Sequence, residues 1–196
     1  MVAPLVVSAD PAWPGRYAAL AGGMRLRLRP LARRIDHIGS TAIPGMAAKD
    51  VIDVQVSVVD LDAAEEAFAR PLEQAGFELA PWRVDHVPAG RRGELRGTMG
   101  DDPARWAKRL WRRRGHPAGA VNLHVRLVGS PNERLALLFR DWFRAHPAAV
   151  AGYSGFKVAL AGSTADLDAY SDVKDPVVDV VVVAAEEWAA ATGWTP

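Results

Sequence analysis

Polar side chains recur at every second position of two apolar stretches, residues 51–58 and residues 120–128. The six are Asp53, Gln55, Ser57, Asn122, His124 and Arg126. Because alternate side chains of a β-strand point to one face, each stretch predicts a strand with one apolar and one polar face. The polar faces would present a carboxylate, an imidazole, amides and a guanidinium, which are groups that bind anions or metals and carry protons.

A glycine–serine pair, Gly39-Ser40, precedes the first of these stretches and follows a predicted short strand, Arg34–Ile38. The backbone N–H groups of such a turn can hold an anion, although a tight connection without a ligand is the simpler interpretation. Lys49 lies just before the second strand. It is either a solvated lysine or a phosphate contact.

Composition limits the classes of protein to which the chain can belong. The 196 residues carry a formal net charge of +1, which argues against binding of nucleic acid by the whole surface, and the absence of cysteine excludes disulfides and thiolate sites. Charge is uneven, because residues 83–114 hold ten Arg or Lys against four Asp or Glu. Without a signal-like segment or a long apolar run, we expect a cytoplasmic protein with no membrane partner.

The first half of the chain predicts alternating helices and strands. Apolar residues at helical spacing indicate a helix from Asp10–Pro11 to about Leu31, and a second helix, residues 61–76, is capped by Asp60 or Asp62. Short strands are predicted at residues 77–79, 83–87 and 95–99, with a turn at residues 88–94 between the last two.

The second half is predicted to be mainly helical. Residues 104–113 are predicted as a short helix with Trp106 and Leu110 facing inward, and amphipathic helices follow at residues 133–146 and 148–160. A further helix from Thr164 is expected to be interrupted at Pro176 before a last helix. The seven tryptophans are interpreted mainly as core residues rather than as a stacking platform.

Two long stretches resemble the GrpB family. The first, HIGSTAIPGMAAKDVIDVQVSV at residues 37–58, resembles the family signature. The second, residues 122–149, resembles the second half of the family together with Tyr153, Lys157 and the pair Tyr170 and Lys174. RWAKRL before it resembles the actinobacterial form, which is also found appended to dephospho-CoA kinase. The chain lacks a GxxxxGK[ST] motif, so we expect a GrpB unit without the kinase part.

The resemblance implies a fold of the DNA-polymerase-β-like nucleotidyltransferase type. The fold class is α/β (α+β), with a mixed sheet flanked by helices and a helical C-terminal third. We expect one domain over residues 1–196, in which a mixed α/β core at 1–130 carries a helical part at 131–196.

This fold implies transfer of a nucleotidyl group from ATP or another nucleoside triphosphate to a small acceptor, with Mg²⁺ as cofactor. Asp53 would ligate the metal, and Gln55 and His124 would complete the catalytic set. The residues expected to bind phosphate or nucleotide are Gly39, Ser40, Thr41, Lys49 and Arg109. The residues expected to contact substrate are His37, Asn122, Arg126, Tyr153 and Lys157.

The sequence departs from that family pattern at one position that matters for metal binding. Active nucleotidyltransferases usually carry a second acid two residues after the first, where this chain has Gln55, a weak neutral ligand for Mg²⁺. An alternative set, Asp36, His37, Asp53, Asn122 and His124, would suit a transition metal better. Histidines that simply hydrogen-bond within the site, and a solvated face for Arg109 and its neighbouring arginines, are the simpler interpretations.

Three functions follow from these observations. One is a nucleotidyltransferase-like enzyme, and the second is a nucleotide- or anion-binding module that has lost the second metal carboxylate. The third is a domain that binds a protein partner. For Tyr153 and Lys157, packing with one salt bridge is the simpler interpretation than contact with a substrate. Nucleic acid is a weaker candidate that rests on residues 83–114 alone, and the oligomeric state is left open.

Overall fold

A computed structural model of the chain describes residues 6–85, 102–164 and 166–196. In these ranges the helices and strands are α1 (Trp13–Arg27), β1 (Arg34–Ile38), β2 (Val51–Val58), α2 (Leu61–Glu73), β3 (Glu78–Leu79), β4 (Lys108–Arg113), β5 (Ala120–Leu127), α3 (Pro131–Ala145), α4 (Pro147–Ser163) and α5 (Leu167–Thr192). Two 3₁₀ turns, Ser40–Ala42 and Pro103–Trp106, follow β1 and precede β4.

The strands form one mixed sheet in the order β1-β2-β5-β4-β3. The central pair, β2 and β5, is parallel, and the other neighbouring strands are antiparallel. In this register Asp53 pairs with Asn122, and Gln55 pairs with His124, so the two predicted polar rows lie side by side. A mixed α/β fold with a helical C-terminal third is therefore confirmed.

The apolar face of the sheet is covered by α1 and α2. Ile52, Val54 and Val56 of β2 are fully buried there beside apolar residues of β5, and they pack against helix residues such as Trp13 and Phe68. Burial of this kind contributes about 1.5–3 kcal/mol for each large apolar side chain. This core fixes the register of β2 and β5, because a shift by one residue would move their polar side chains to the apolar face and bury them in the core.

The polar face is covered by α3, α4 and α5. Gln55 and Ser57 on this face are as fully buried as the valines opposite, because the C-terminal helices lie over them. A second core, which includes Ile43, Met46 and Phe143, joins these helices to the loop after β1. The C-terminal half of β2 is thus buried on both faces rather than half-exposed.

Residues 108–113, which the sequence analysis predicted as helix, form strand β4. The spacing of Trp106 and Leu110 suggested one helical face, but the segment also alternates, with Lys108, Leu110 and Arg112 on one side of the sheet. Hydrogen bonding to β5 on one edge and β3 on the other satisfies its backbone, and this pairing outweighs the helical propensity.

Other predicted boundaries also change. Helix α1 ends at Arg27. Of the strand predicted at 83–87, the described part ends at Asp85 and contributes one bridge, from Val84 to Ala107. Helix α5 continues through Pro176, because Val177 and Val181 beyond the proline pack on the second core and offset the lost hydrogen bond. The turn predicted at 88–94 and the strand predicted at 95–99 lie outside the described residues.

No helix within the described ranges combines the length and the apolar composition needed to cross a bilayer.

Asp60 provides a test of the N-terminal cap of α2. It caps α2 as predicted, since its carboxylate accepts the N–H groups of Asp62 at 2.9 Å and Ala63 at 3.0 Å. We expect Asp60→Ala to lower the free energy of unfolding by about 1 kcal/mol, because two helix N–H groups lose their acceptor. Urea denaturation measures the change. Asp60→Asn, which retains a capping oxygen, should stay close to wild type, and equal losses in both variants would contradict the capping role.

Candidate functional site

A cleft of about 710 Å³ lies between the polar face of the sheet and the C-terminal helices. Its sheet side is formed by β2, β4, β5 and the turn at Gly39–Ser40, and its helical side by α3, α4 and α5. Clefts of this volume accommodate molecules of the size of cofactors and drugs. The two halves of the chain therefore meet at the cleft.

The cleft is strongly basic although the chain is nearly neutral. Its basic lining residues are Lys49, Lys108, Arg112, Arg114, Arg126, Lys157 and Lys174. Its acidic lining residues are Asp53, Asp85 and Asp175. Positive charge concentrated in a concave site raises the local concentration of anions, so the electrostatics favour an anionic ligand.

Asp53 lies near the start of β2, and its carboxylate contacts two side chains of β5. Oδ1 accepts a hydrogen bond from the Asn122 amide at 2.8 Å and lies 3.6 Å from Nε2 of His124. Both Asp53 and His124 remain partly exposed to the cleft, with side chains 26% and 16% accessible. Of the three residues predicted as the catalytic set, Asp53 and His124 lie together at the cleft with Asn122 beside them, whereas Gln55 does not line it.

The protonation of His124 follows from its neighbours. Burial, together with the positive charge of Arg126, lowers the pKa of the imidazole against the opposing influence of Asp53, so the ring is neutral at pH 7. Arg126 can only donate, and its guanidinium lies 3.5 Å from Nδ1. This contact favours the tautomer with the proton on Nε2, where it faces Asp53.

The turn at Gly39–Ser40 lies directly on the Asp53 carboxylate. Gly39 has a φ of 68°, and a Cβ atom added to it would come within 2.5 Å of Oδ2 of Asp53. Glycine is required there on both counts. Two arginines of α3 hydrogen-bond to the backbone on either side of this turn. Arg140 donates to the His37 carbonyl at 3.1 Å, and Arg144 donates to the Ala42 carbonyl at 2.8 Å.

Lys157 of α4 reaches the same turn from the opposite wall. Its ammonium donates to Oγ of Ser40 at 2.9 Å and lies 5.1 Å from the ring centroid of Tyr153, and the residue is only 2% exposed. Burial and then the charge of Lys174 lower the pKa of Lys157 to about 7, while Asp53 acts in the opposite direction. Burial also raises the pKa of the Tyr153 hydroxyl, which stays protonated.

Gln55 holds a neighbouring arginine instead of facing the cleft. It is fully buried, its Oε1 accepts from Arg126 at 2.6 Å, and its Nε2 donates to the Glu133 carbonyl at 3.3 Å. Arg126 also donates to Asp85 at 2.8 Å, and Lys108 donates to the other oxygen of Asp85 at 2.6 Å. Burial opposes ionisation of Asp85, but these two cations hold its pKa well below the usual range.

Two predicted site residues lie on the opposite face of the sheet. His37 pairs with Val54, stacks on Tyr17 with ring centroids 4.5 Å apart, and places Nε2 3.0 Å from Oγ1 of Thr41. Burial lowers the pKa of His37 to about 4. Arg109 forms ion pairs with Asp62 and Glu65 of α2. Neither side chain lines the cleft.

The remaining predicted residues border the cleft. Thr41 lies at its rim with its hydroxyl facing His37, and Lys49 places its ammonium 4.3 Å from the ring centroid of Tyr170. Asp85 and Lys108 were missed by the sequence analysis. Asp85 lies in a segment that was interpreted only as a strand, and Lys108 was assigned to a helix.

The side chains present do not fit a two-metal site. Among the described residues no group of three or more His, Cys, Asp or Glu is placed to hold a metal ion. Gln55 occupies the position of a second ligand but is committed to Arg126. The alternative transition-metal set fails because His37 faces α1 and Asp36 lies 2.7 Å from the guanidinium of Arg34.

Lys157 generates a prediction about stability and pH. Its pKa is about 7 in the folded protein and 10.5 in an exposed chain, so the unfolded state binds the extra proton between these values. Stability therefore rises with pH across this window, and the cost of burying the charge is complete below pH 7. We expect Lys157→Met to raise the free energy of unfolding by about 1–4 kcal/mol at pH 6, with the gain disappearing towards pH 10.

Urea denaturation of both proteins at pH 6, 8 and 10 measures this difference. Arg70→Met provides the control, since Arg70 is an exposed cation of α2, which covers the opposite face of the sheet. Its effect should be small. A gain that does not change with pH, or a less stable Lys157→Met protein at pH 6, would show that the ammonium is not buried at a cost.

Comparisons with known proteins agree with this architecture. The model of the family described as GrpB protein matches residues 4–183. The chain is 38% identical to a dephospho-CoA kinase of Mycolicibacterium paratuberculosis over 97% of this chain and 48% of that protein, so it spans about half the length of this relative. It is 33% identical to a UPF0157 protein of Deinococcus radiodurans over 89% of this chain and 80% of that protein.

A crystal structure of the conserved protein GrpB from Enterococcus faecalis has the same fold. The two superpose with a TM-score of 0.72 at 24% identity, over 93% of this chain and 99% of that one. The family match covers both walls of the cleft, from the Gly39–Ser40 turn to Lys174. This chain belongs to the GrpB family.

Proposed function

We propose that the cleft binds the phosphates of a nucleoside triphosphate such as ATP. The observation that carries the proposal is Lys157, a buried ammonium that donates to Ser40 and has no carboxylate within ion-pair distance among the described residues. Natural proteins retain a destabilising buried charge mainly where function needs it. An anionic phosphate beside Ser40 would supply the missing counter-charge.

The surrounding groups suit a chain of phosphates. The turn at Gly39–Ser40 borders the cleft where Lys157 reaches it, and Lys49 and Lys174 also line the cleft. Cationic side chains and backbone N–H groups together neutralise and orient phosphate oxygens. The site differs from a two-metal site in that protein cations, rather than Mg²⁺ on paired carboxylates, supply most of the positive charge.

A second candidate function, transfer of the nucleotidyl group to a small acceptor, is favoured by the geometry around Asp53. Asn122 and His124 both approach Oδ1, which leaves Oδ2 facing the Gly39 turn. In this reaction a hydroxyl of the acceptor loses its proton to Asp53 as its oxygen bonds to the α-phosphorus. The bond to the β-phosphate breaks, and pyrophosphate leaves.

Binding measurements separate these functions. We expect ATP and inorganic tripolyphosphate to bind the wild-type protein in isothermal titration, and Lys157→Met to weaken both by at least about tenfold, since a charge-assisted contact is lost. Asp53→Asn should keep phosphate affinity or increase it, because a negative charge is removed, while abolishing any transfer to an acceptor.

Arg109→Met is the matched control. It removes one basic residue from the chain but lies on the opposite face of the sheet, so binding should be unchanged. Wild-type affinity should also fall as the pH rises above about 7, because Lys157 then loses its proton, and Lys157→Met should lack this dependence. Failure of the wild-type protein to bind either anion would overturn the proposal.

A further inference from the structure

Trp82 differs from the other tryptophans of the chain. It is 52% exposed, and it borders the cleft. The remaining six are buried or pack within hydrophobic clusters: Trp13, Trp106, Trp111, Trp142, Trp188 and Trp194. Trp82 is therefore the exception to the interpretation of the tryptophans as mainly core residues, and its exposed ring at the edge of the cleft is accessible to a ligand.

The indole of Trp82 is held at the rim by Arg112. The guanidinium carbon of Arg112 lies 5.0 Å from the indole centroid, which is within the range of a cation–π contact. This contact fixes the orientation of the ring while more than half of the residue stays accessible. An oriented indole with open surface is the arrangement on which a flat aromatic group stacks.

The sheet register relates Arg112, which contacts this ring, to Asp53 at the Gly39–Ser40 turn. Arg112 pairs with Asn122, and Asn122 pairs with Asp53, so the three lie in one row across β4, β5 and β2. Two strand spacings separate the ends of the row by about 10 Å. Trp82 lies beyond Arg112 on the same cleft, so a nucleotide with its triphosphate at Ser40 would extend its base along this row towards Trp82.

We propose that Trp82 is the stacking platform for the base of the nucleotide bound in the cleft, with Arg112 orienting its ring. The inference rests on the proposed function, because it needs the phosphates to bind at the Gly39–Ser40 turn. Stacking on an aromatic side chain tolerates every base, since each has a π-face. Trp82 thus distinguishes a nucleotide from a simple polyphosphate without selecting one base by hydrogen bonds.

The test compares ATP with inorganic tripolyphosphate in isothermal titration. Trp82→Ala should weaken ATP binding about tenfold, the effect of losing one stacked base, while tripolyphosphate binding stays at the wild-type level. Trp82→Phe, which keeps an aromatic face, should retain most of the ATP affinity. Leu79→Ala is the matched control, because Leu79 is an exposed apolar residue of the neighbouring strand β3 that does not border the cleft.

The outcomes separate the inference from the proposed function. If wild-type protein binds both anions and Trp82→Ala binds ATP as tightly as wild type, the stacking role is wrong while phosphate binding stands. If Trp82→Ala weakens both anions equally, Trp82 acts through the structure of the cleft and the stacking role is also wrong. If wild-type protein binds neither anion, the proposed function fails, and the inference fails with it.

Discussion

The contact between Lys157 and Ser40 joins the two halves of this protein. Lys157 comes from α4 in the helical C-terminal part, and Ser40 comes from the turn after β1, 117 residues earlier in the chain. The ammonium is almost fully buried, and burial lowers its pKa. The negative charge of Asp53 raises the pKa again, but by less than burial lowers it. The structure therefore holds a strong hydrogen-bond donor ready at the centre of a basic cleft.

The residues around this contact are the reason for proposing phosphates, rather than paired metal ions, as the ligand of the cleft. Asp53 is the carboxylate that contacts the Gly39 turn, and the position two residues later is Gln55. Gln55 is buried and accepts a hydrogen bond from Arg126, which also donates to Asp85. These hydrogen bonds form a network of Gln55, Arg126, Asp85 and Lys108 at the floor of the cleft. Such a network rigidifies the side chains that form it.

Local patterns in the sequence predicted the parts of the site that depend on neighbouring residues. Alternation predicted which side chains of β2 and β5 share a face, and the Gly39–Ser40 turn was found because glycine permits its backbone conformation. Features set by long-range pairing were not predictable in this way. Alternation separates His37 from Asp36, but only the pairing of β1 with β2 decides that His37 lies on the face covered by α1. Likewise, β4 is a strand because β3 and β5 flank it.

Direct titration of Lys157 by NMR, with ¹³C at the ε-carbon of lysine and Lys157→Met to assign the signal, tests the central claim most directly. The account predicts a midpoint near pH 7 in the unliganded protein and a clear upward shift when tripolyphosphate is added, because a bound anion stabilises the ammonium. A midpoint near the ordinary 10.5 that does not move with tripolyphosphate would contradict it.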